Sequence, residues 1–220
     1  MIKNGYKKNS LLDQKYILIG AGGHSLVIRE NLLSEKKDIV GFYDDNNCYL
    51  EGIEYLGPIQ NISMLTKQQI AETNFIIAIG NNKVRKRIVE KLKPLNLNYG
   101  KVIHPTAYVS KSASLGEGTV IMPNSVVNSK SVIGSHVIIN SGSIIEHESI
   151  LSDYVHVSPN AALAGGVKVG QGAHLGIGSV AIQNASIGEW SIVGAGGVVI
   201  TDIPSNVVAI GIPAKIRKEG

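Results

Sequence analysis

The sequence predicts two structural classes in one chain: an α/β domain built on a parallel sheet, followed by an all-β parallel β-helix. Three observations carry this. From Ile103 to Val199, every sixth residue is Ile, Leu or Val, and Ala181 is the one exception among seventeen positions. The fifth place of each hexad is mostly small, as at Ser125, Ser131, Ser143, Ser149, Ala173 and Ser179. Residues 15 to 100 lack this rhythm and read as strands alternating with helices. A period of six matches neither an α-helix nor a single long strand. It matches short strands joined by tight corners, with the aliphatic side chain inward and the small one in the crowded corner.

Taken in order, Lys15–Ile19 is a short apolar strand that ends in Gly20-Ala21-Gly22-Gly23-His24, and a helix follows from Ser25 to about Leu33. A second strand, Asp38–Tyr43, ends at Asp44-Asp45. Residues 46–73 contain a Gly57-Pro58 turn and a short helix within Ser63–Thr73. A third strand, Asn74–Ile79, ends at Gly80-Asn81-Asn82; a charged helix then runs from Lys83 to about Lys93 and stops at Pro94. Strands alternating with helices imply a parallel sheet with covered faces. The rhythm of six takes over near His104-Pro105, which divides the chain into residues 1–100 and 101–220. Three hexads make one turn of a triangular prism, so the 97 residues from 103 to 199 give somewhat more than five turns. A hexad strand is too short to stand alone, so stability comes from the stacked array. Gly211-Ile212-Pro213-Ala214-Lys215 closes the chain.

The composition excludes several function classes. With 44% hydrophobic residues the chain can bury a proper core. The net charge of +4 is scattered, and its densest run, Lys83, Arg85, Lys86 and Arg87, reads as the solvated face of a helix. Two Phe and one Trp offer little for stacking bases, so no nucleic-acid role is expected. Cys48 is alone, which excludes an internal disulfide and suits a reducing, cytoplasmic setting. Met1–Gln14 lacks the apolar core of a signal peptide, and no stretch is apolar enough for membrane insertion.

A strand ending in Gly20-Ala21-Gly22-Gly23-His24 and leading into a helix can cradle a phosphate. Glycines let the backbone approach the ligand, and the helix N-terminus offers free N–H groups. Asp44 and Asp45 end the next strand, where a ribose or base would be read. Ser25 stands where the third glycine of a dinucleotide fingerprint would fall, so this Rossmann-like loop reads as a nucleotide or nucleotide-sugar site or as a plain tight turn.

Of the six histidines, His104 reads as structural and His136 as an outward polar residue. His147, between Glu146 and Glu148, has the surroundings of a general base, since a neighbouring carboxylate orients an imidazole and raises its basicity. His156 and His174 are eighteen residues apart and should stack one coil above the other. His147 and His156 are nine apart, half a turn, so one chain places them on different parts of the prism. They can share a site only across two subunits, and no metal is expected. Zinc on three histidines, as in a carbonic anhydrase, would require such sharing.

These residues resemble a known family. Ile19–His24, Asp44-Asp45, Phe75–Asn82, Ile145-Glu146-His147-Glu148, His156-Val157-Ser158 and Gly211–Lys215 are similar to the left-handed β-helix, hexapeptide-repeat sugar acetyltransferases of bacterial amino-sugar biosynthesis. Within these they look like the bacillosamine-pathway group, which acetylates a UDP-linked 4-amino-4,6-dideoxy sugar. The resemblance covers nearly the whole chain. It implies a left-handed coil, a homotrimer, and acetyl-coenzyme A between neighbouring β-helices as the co-substrate. By position it implies His147 as general base and Glu148 as the carboxylate raising its basicity. His156 would meet the acetyl-thioester end, Gly165, Ile177 and Ala195 would line the coenzyme groove, and Asn140 would lie near the reacting groups. Gly22, Gly23, His24, Asp44, Asp45 and Gly80 would hold a UDP- or dTDP-linked amino sugar. The segment between Asp45 and Asn74 is longer than in that group.

Direct transfer follows as the expected chemistry: a sugar C4 amine attacks the thioester, His147 takes a proton, and a backbone N–H, that of Gly165, stabilises the oxyanion. Cys48 lies outside the hexads, so no acyl-enzyme is expected. Two other readings stay open. One is O-acetylation of a sialic acid or related sugar. The other is a nucleotide-sensing trimer with an inactive β-helix, against which the Glu-His-Glu motif argues.

Overall fold

The computed structural model describes residues 15–46 and 48–219. Met1–Gln14, read above as lacking a signal core, lies outside the described residues. The first part is a four-stranded parallel sheet in the order β3-β2-β1-β4, from β1 (Lys15–Ile19), β2 (Asp38–Tyr43), β3 (Tyr55–Gly57) and β4 (Thr73–Ile77). Helices α1 (Gly23–Ser34), α2 (Lys67–Ala71) and α3 (Asn82–Leu92) connect these strands or cover them. Ile17, Leu18, Ile19, Phe75, Ile76 and Ile77 are buried, as continuous apolar runs in a parallel sheet should be.

Two expectations need correction here. Residues 46–73 hold a fourth strand, β3, and a 3-10 helix (Ile59–Met64) besides the short helix. The sequence hid β3 because it is three residues long and half-buried, too short to show alternation. β4 ends at Ile77, two residues before the expected Ile79.

The second part is a left-handed β-helix of two-residue strands, from β5 (Val102–Ile103) to β21 (Val198–Val199). They form three parallel sheets, the faces of a prism, and each strand pairs with those eighteen residues away: Ile138 with His156, Ile144 with Ala162, Ile150 with Lys168. The first face carries β5, the strand Ile138–Ile139 and the strand His156–Val157; the second carries Ile144–Ile145; the third carries Ile150–Leu151. The sixfold aliphatics fill the interior from Ile121 to Val199 without exposure above 4%, each contributing on the order of 1.5–3 kcal/mol by burial. The small fifth-place residues are buried as well, and Ser125, Ser143, Ser149, Ser179 and Ser191 are fully enclosed. Corners are two residues long, and the second sits in the left-handed region, which explains Asn124, Asn160, Asn184 and Gly166 there. The chain does not stop at Gly211–Lys215. β22 (Val207–Ile210) joins the first face, and β23 (Lys215–Glu219) pairs antiparallel with it.

The α/β part packs on the first face and on the corner between the third and first faces. Asn31 Nδ2 reaches the Ile121 carbonyl at 3.4 Å, Ile103 N–H donates to Glu35 Oε1 at 2.9 Å, and Lys86 Nζ reaches Gln171 Oε1 at 3.3 Å. Val102, Val120 and Ile138, which point outward from the first face, are buried beneath it.

Candidate active site

The glycine loop is built from its sequence upward. Gly20 has φ +104°, and a β-carbon there would come within 2.6 Å of Ile79 Cγ1, so the turn itself requires glycine. Gly22 and Gly23 are different: their φ values are ordinary, and a β-carbon at either would meet nothing within 4 Å. Internal packing does not explain those two glycines, and open space stands before the N-terminus of α1, where Gly22 caps without a side-chain bond. Asp44 holds the loop, its Oδ2 accepting from Ala21 N–H at 2.8 Å. Asp45 Oδ1 accepts from Ile59 N–H at 3.0 Å. Both acids therefore shape the loop and its neighbour.

A cleft of about 490 Å³ is lined by Gly80, Asn81, Asn82, His156, His174 and Ile192 among others. It lies between the start of α3 and the first face. His156 and His174 stack with ring centroids 4.7 Å apart, as the spacing of eighteen predicts, and His24 of the glycine loop lies 6.4 Å from His156. Burial, reinforced by the nearby Arg85 guanidinium, lowers the pKa of His24 to about 4. Burial, His174, Arg85 and His24 together lower that of His156 to about 3. His174 is lowered for the same first reason, burial. These imidazoles are neutral at neutral pH.

The proton of His156 can be assigned. Ser141 N–H donates to Asn140 Oδ1 at 2.9 Å, which fixes the amide, so Asn140 Nδ2 donates to His156 Nε2 at 3.2 Å. Nε2 therefore accepts, and the proton sits on Nδ1. That atom is buried and faces the Gly80 carbonyl, without closing a hydrogen bond of good geometry.

His147 is elsewhere. It stands at the corner after Ile144–Ile145, between the second and third faces, with its side chain 60% exposed. Its Nδ1 lies 3.2 Å from Glu148 Oε2, while Glu146 Oε2 accepts from Asn128 Nδ2. Of the two flanking carboxylates, only Glu148 engages the ring. Gly165 occupies the same corner one coil on; a β-carbon there would come within 2.6 Å of the ring, so glycine makes room for the imidazole. Ile177 and Ala195 stack on the corner between the first and second faces, where Gly196 N–H donates to the Ile177 carbonyl at 2.8 Å. One chain thus gathers His24, Gly80, Asn140 and His156, and keeps His147, Glu148 and Gly165 on another corner. Among the described residues, no group of three or more His, Cys, Asp or Glu is placed to hold a metal.

Two readings are overturned. Arg85 is not on a solvated face: it is 1% exposed. It shares a helical stripe with Asn82, Ile88 and Leu92, at spacings of three and four, which is the signal that could have found it. His136 points out of the prism but is only 2% exposed, covered edge-on by Tyr99 and stacked by Tyr154, with a pKa lowered to about 4 by burial and Arg85. A period of six places a residue on a face but does not say what covers that face.

Comparison with known proteins gives a consistent picture. The family model for the PglD N-terminal domain matches residues 15–92, and that for the bacterial transferase hexapeptide (six repeats) matches residues 112–147. A mutant perosamine N-acetyltransferase from Caulobacter crescentus, in complex with CoA and GDP-perosamine, is 38% identical with a TM-score of 0.88, over 93% of this chain and 97% of that one. The acetyltransferase domain of PglB from Neisseria gonorrhoeae, in complex with acetyl coenzyme A, is 34% identical with a TM-score of 0.88, over 93% of this chain and 100% of that one. The UDP-N-acetylbacillosamine N-acetyltransferase of Bacillus subtilis is 45% identical over 100 residues, 44% of this chain and 45% of that protein. The match spans less than half the length of that curated relative.

Proposed function

This chain belongs to the hexapeptide-repeat sugar acetyltransferases, and from that premise we propose that it transfers acetyl from acetyl-coenzyme A to the amino group, at C4, of a nucleotide-linked amino-deoxy sugar. Residues up to about 100 hold the nucleotide sugar and residues 101–220 carry the transfer. The single observation that carries this reading is the open glycine loop, whose Gly22 and Gly23 no internal packing explains, set with its His24 6.4 Å from the buried His156 of the β-helix.

In this reading Gly22, Gly23, His24 and Gly80 take the nucleotide sugar, with Asp44 and Asp45 holding the loop in shape. Acetyl-coenzyme A lies along Ile177 and Ala195, and His156 lies at its thioester end. The sugar amine attacks the thioester carbonyl and His147, its ring oriented by Glu148, takes the amine proton; the tetrahedral adduct then collapses with cleavage of the C–S bond, and coenzyme A leaves as the thiol, taking up the proton that His147 holds. Gly165 N–H has no hydrogen-bond partner among the described residues and faces the developing oxyanion. His147 and the glycine loop stand on different sides of one prism, so the His147 of one copy serves the loop of a neighbour. A homotrimer of three parallel prisms closes such sites symmetrically. The base is left open among uridine, thymidine and guanosine; the relatives above include one that binds GDP-perosamine and one named for a UDP sugar.

The test is a mass-spectrometric acetylation screen with acetyl-coenzyme A against UDP-, dTDP- and GDP-linked 3-amino and 4-amino sugars, with sialic acid as control. Acetylation of a nucleotide-linked amino sugar is expected. Acetylation of sialic acid alone would replace this reading with O-acetylation.

A further inference from the structure

Three carbonyls mark the corner between the third and first faces: His136, Tyr154 and Gly172, each eighteen residues from the next. All three residues lie in the left-handed region, with φ of 54°, 61° and 65°. Their N–H groups donate to the coil before, to Glu117, Ser135 and Asp153. Their carbonyls take no backbone donor among the described residues and point out of the prism.

Helix α3 supplies the donors. Arg85 Nε donates to the His136 carbonyl at 2.9 Å, and Nη2 to the Tyr154 carbonyl at 2.8 Å. Asn82 Nδ2 donates to the Gly172 carbonyl at 3.0 Å and to that of Ala173 at 3.2 Å. Residues 82 and 85 lie about 4.5 Å apart along a helix axis, and coils about 4.8 Å apart, so the helix matches the coil spacing. The remaining Arg85 donors go to the Ile79 carbonyl (3.0 Å), the Gly80 carbonyl (3.1 Å) and Asn82 Oδ1 (3.0 Å). All five guanidinium N–H groups are used, and none of these partners is a carboxylate. Lysine offers three donors without the planar fork and cannot reproduce this set.

We propose that Arg85, with Asn82, is a positioning residue for the transfer. The pair sets the axial register of the α/β part on the β-helix and so holds Gly80 at the level of the coil that carries His156. A slip of one coil would move the substrate loop by about 4.8 Å, more than the spacing reacting atoms tolerate. The inference rests on the functional reading above, with Gly80 at the nucleotide sugar.

Arg85→Gln, Arg85→Lys and Asn82→Ala test it, with kcat measured per folded site at saturating substrates. Calorimetry alongside gives the affinities for acetyl-coenzyme A and for the nucleoside diphosphate that the wild type binds. Expected are a fall in kcat of about tenfold or more for Arg85→Gln, a partial recovery in Arg85→Lys, and about threefold for Asn82→Ala, with both affinities within about twofold. If Arg85→Gln does not fold, Asn82→Ala decides. Unchanged kcat per folded site would mean a purely structural role and overturn the proposal. Loss of nucleotide affinity in step with kcat would mean a direct ligand contact and overturn it as well. A wild type inactive on every nucleotide-linked amino sugar would instead overturn the functional reading beneath it.

Discussion

His147 and His156 are the same residue type on the same prism, and their surroundings make them different reagents. His147 stands at an open corner, 60% exposed, with Glu148 on one ring nitrogen. His156 is packed between His174, Asn140 and the α/β part, with its pKa lowered to about 3 by burial and then by its cationic and imidazole neighbours. A base must reach water and change charge; a fixed donor must do neither. The difference shows that the surroundings of a histidine in this fold are set by what covers each face. The coil position alone does not set them.

The comparison breaks most sharply at His147. His147→Ala should lose about 10²-fold or more in kcat/KM while binding acetyl-coenzyme A normally by calorimetry. Near-normal turnover would remove it as the base. Gly165→Ala should come next, since the new β-carbon displaces the imidazole without touching the core. A loss of about 10- to 100-fold in kcat with an unchanged unfolding temperature is expected, and full activity would show that the ring's placement does not matter.

The smallest effect concerns the buried group. His24, His136 and His156 all have folded pKa values below the ordinary 6.5. Below about pH 6.5 the unfolded chain takes up protons that the folded chain refuses until pH nears 4 or 3. Their contribution to stability is therefore complete above pH 6.5 and is lost as pH falls through 4. One such proton corresponds to about 1.4 kcal/mol per pH unit. His136→Gln should flatten the fall of unfolding temperature between pH 6.5 and 4, measured against wild type. An identical slope would show that His136 does not stay neutral in the folded chain.

Much of the fold was legible because each hexad repeats one physical demand. Ile121, Ile133 and Ile145 are buried for the same reason, and sixteen repetitions of that pattern leave little else to fit. β3 was not legible, being short and half-buried. At the site, the glycine loop and the Glu-His-Glu corner could be read from local residue types. The tautomer of His156 could not, because it depends on Ser141 fixing the amide of Asn140. Nor could the partners of Arg85, since His136 and Tyr154 are 51 and 69 residues away, although its helical stripe marks it as buried.

By itself the sequence determined the period, the interior column and the half-turn between His147 and His156, because these follow from local spacing along one chain. Only the tertiary structure decided which outward residues are covered. The α/β part docks on one face and one corner, and that contact lowers the pKa of His24, His136 and His156 and buries Arg85, while the corner at His147 stays open to water. Burial of an outward residue is a property of its neighbour in space, and spacing along the chain does not encode it.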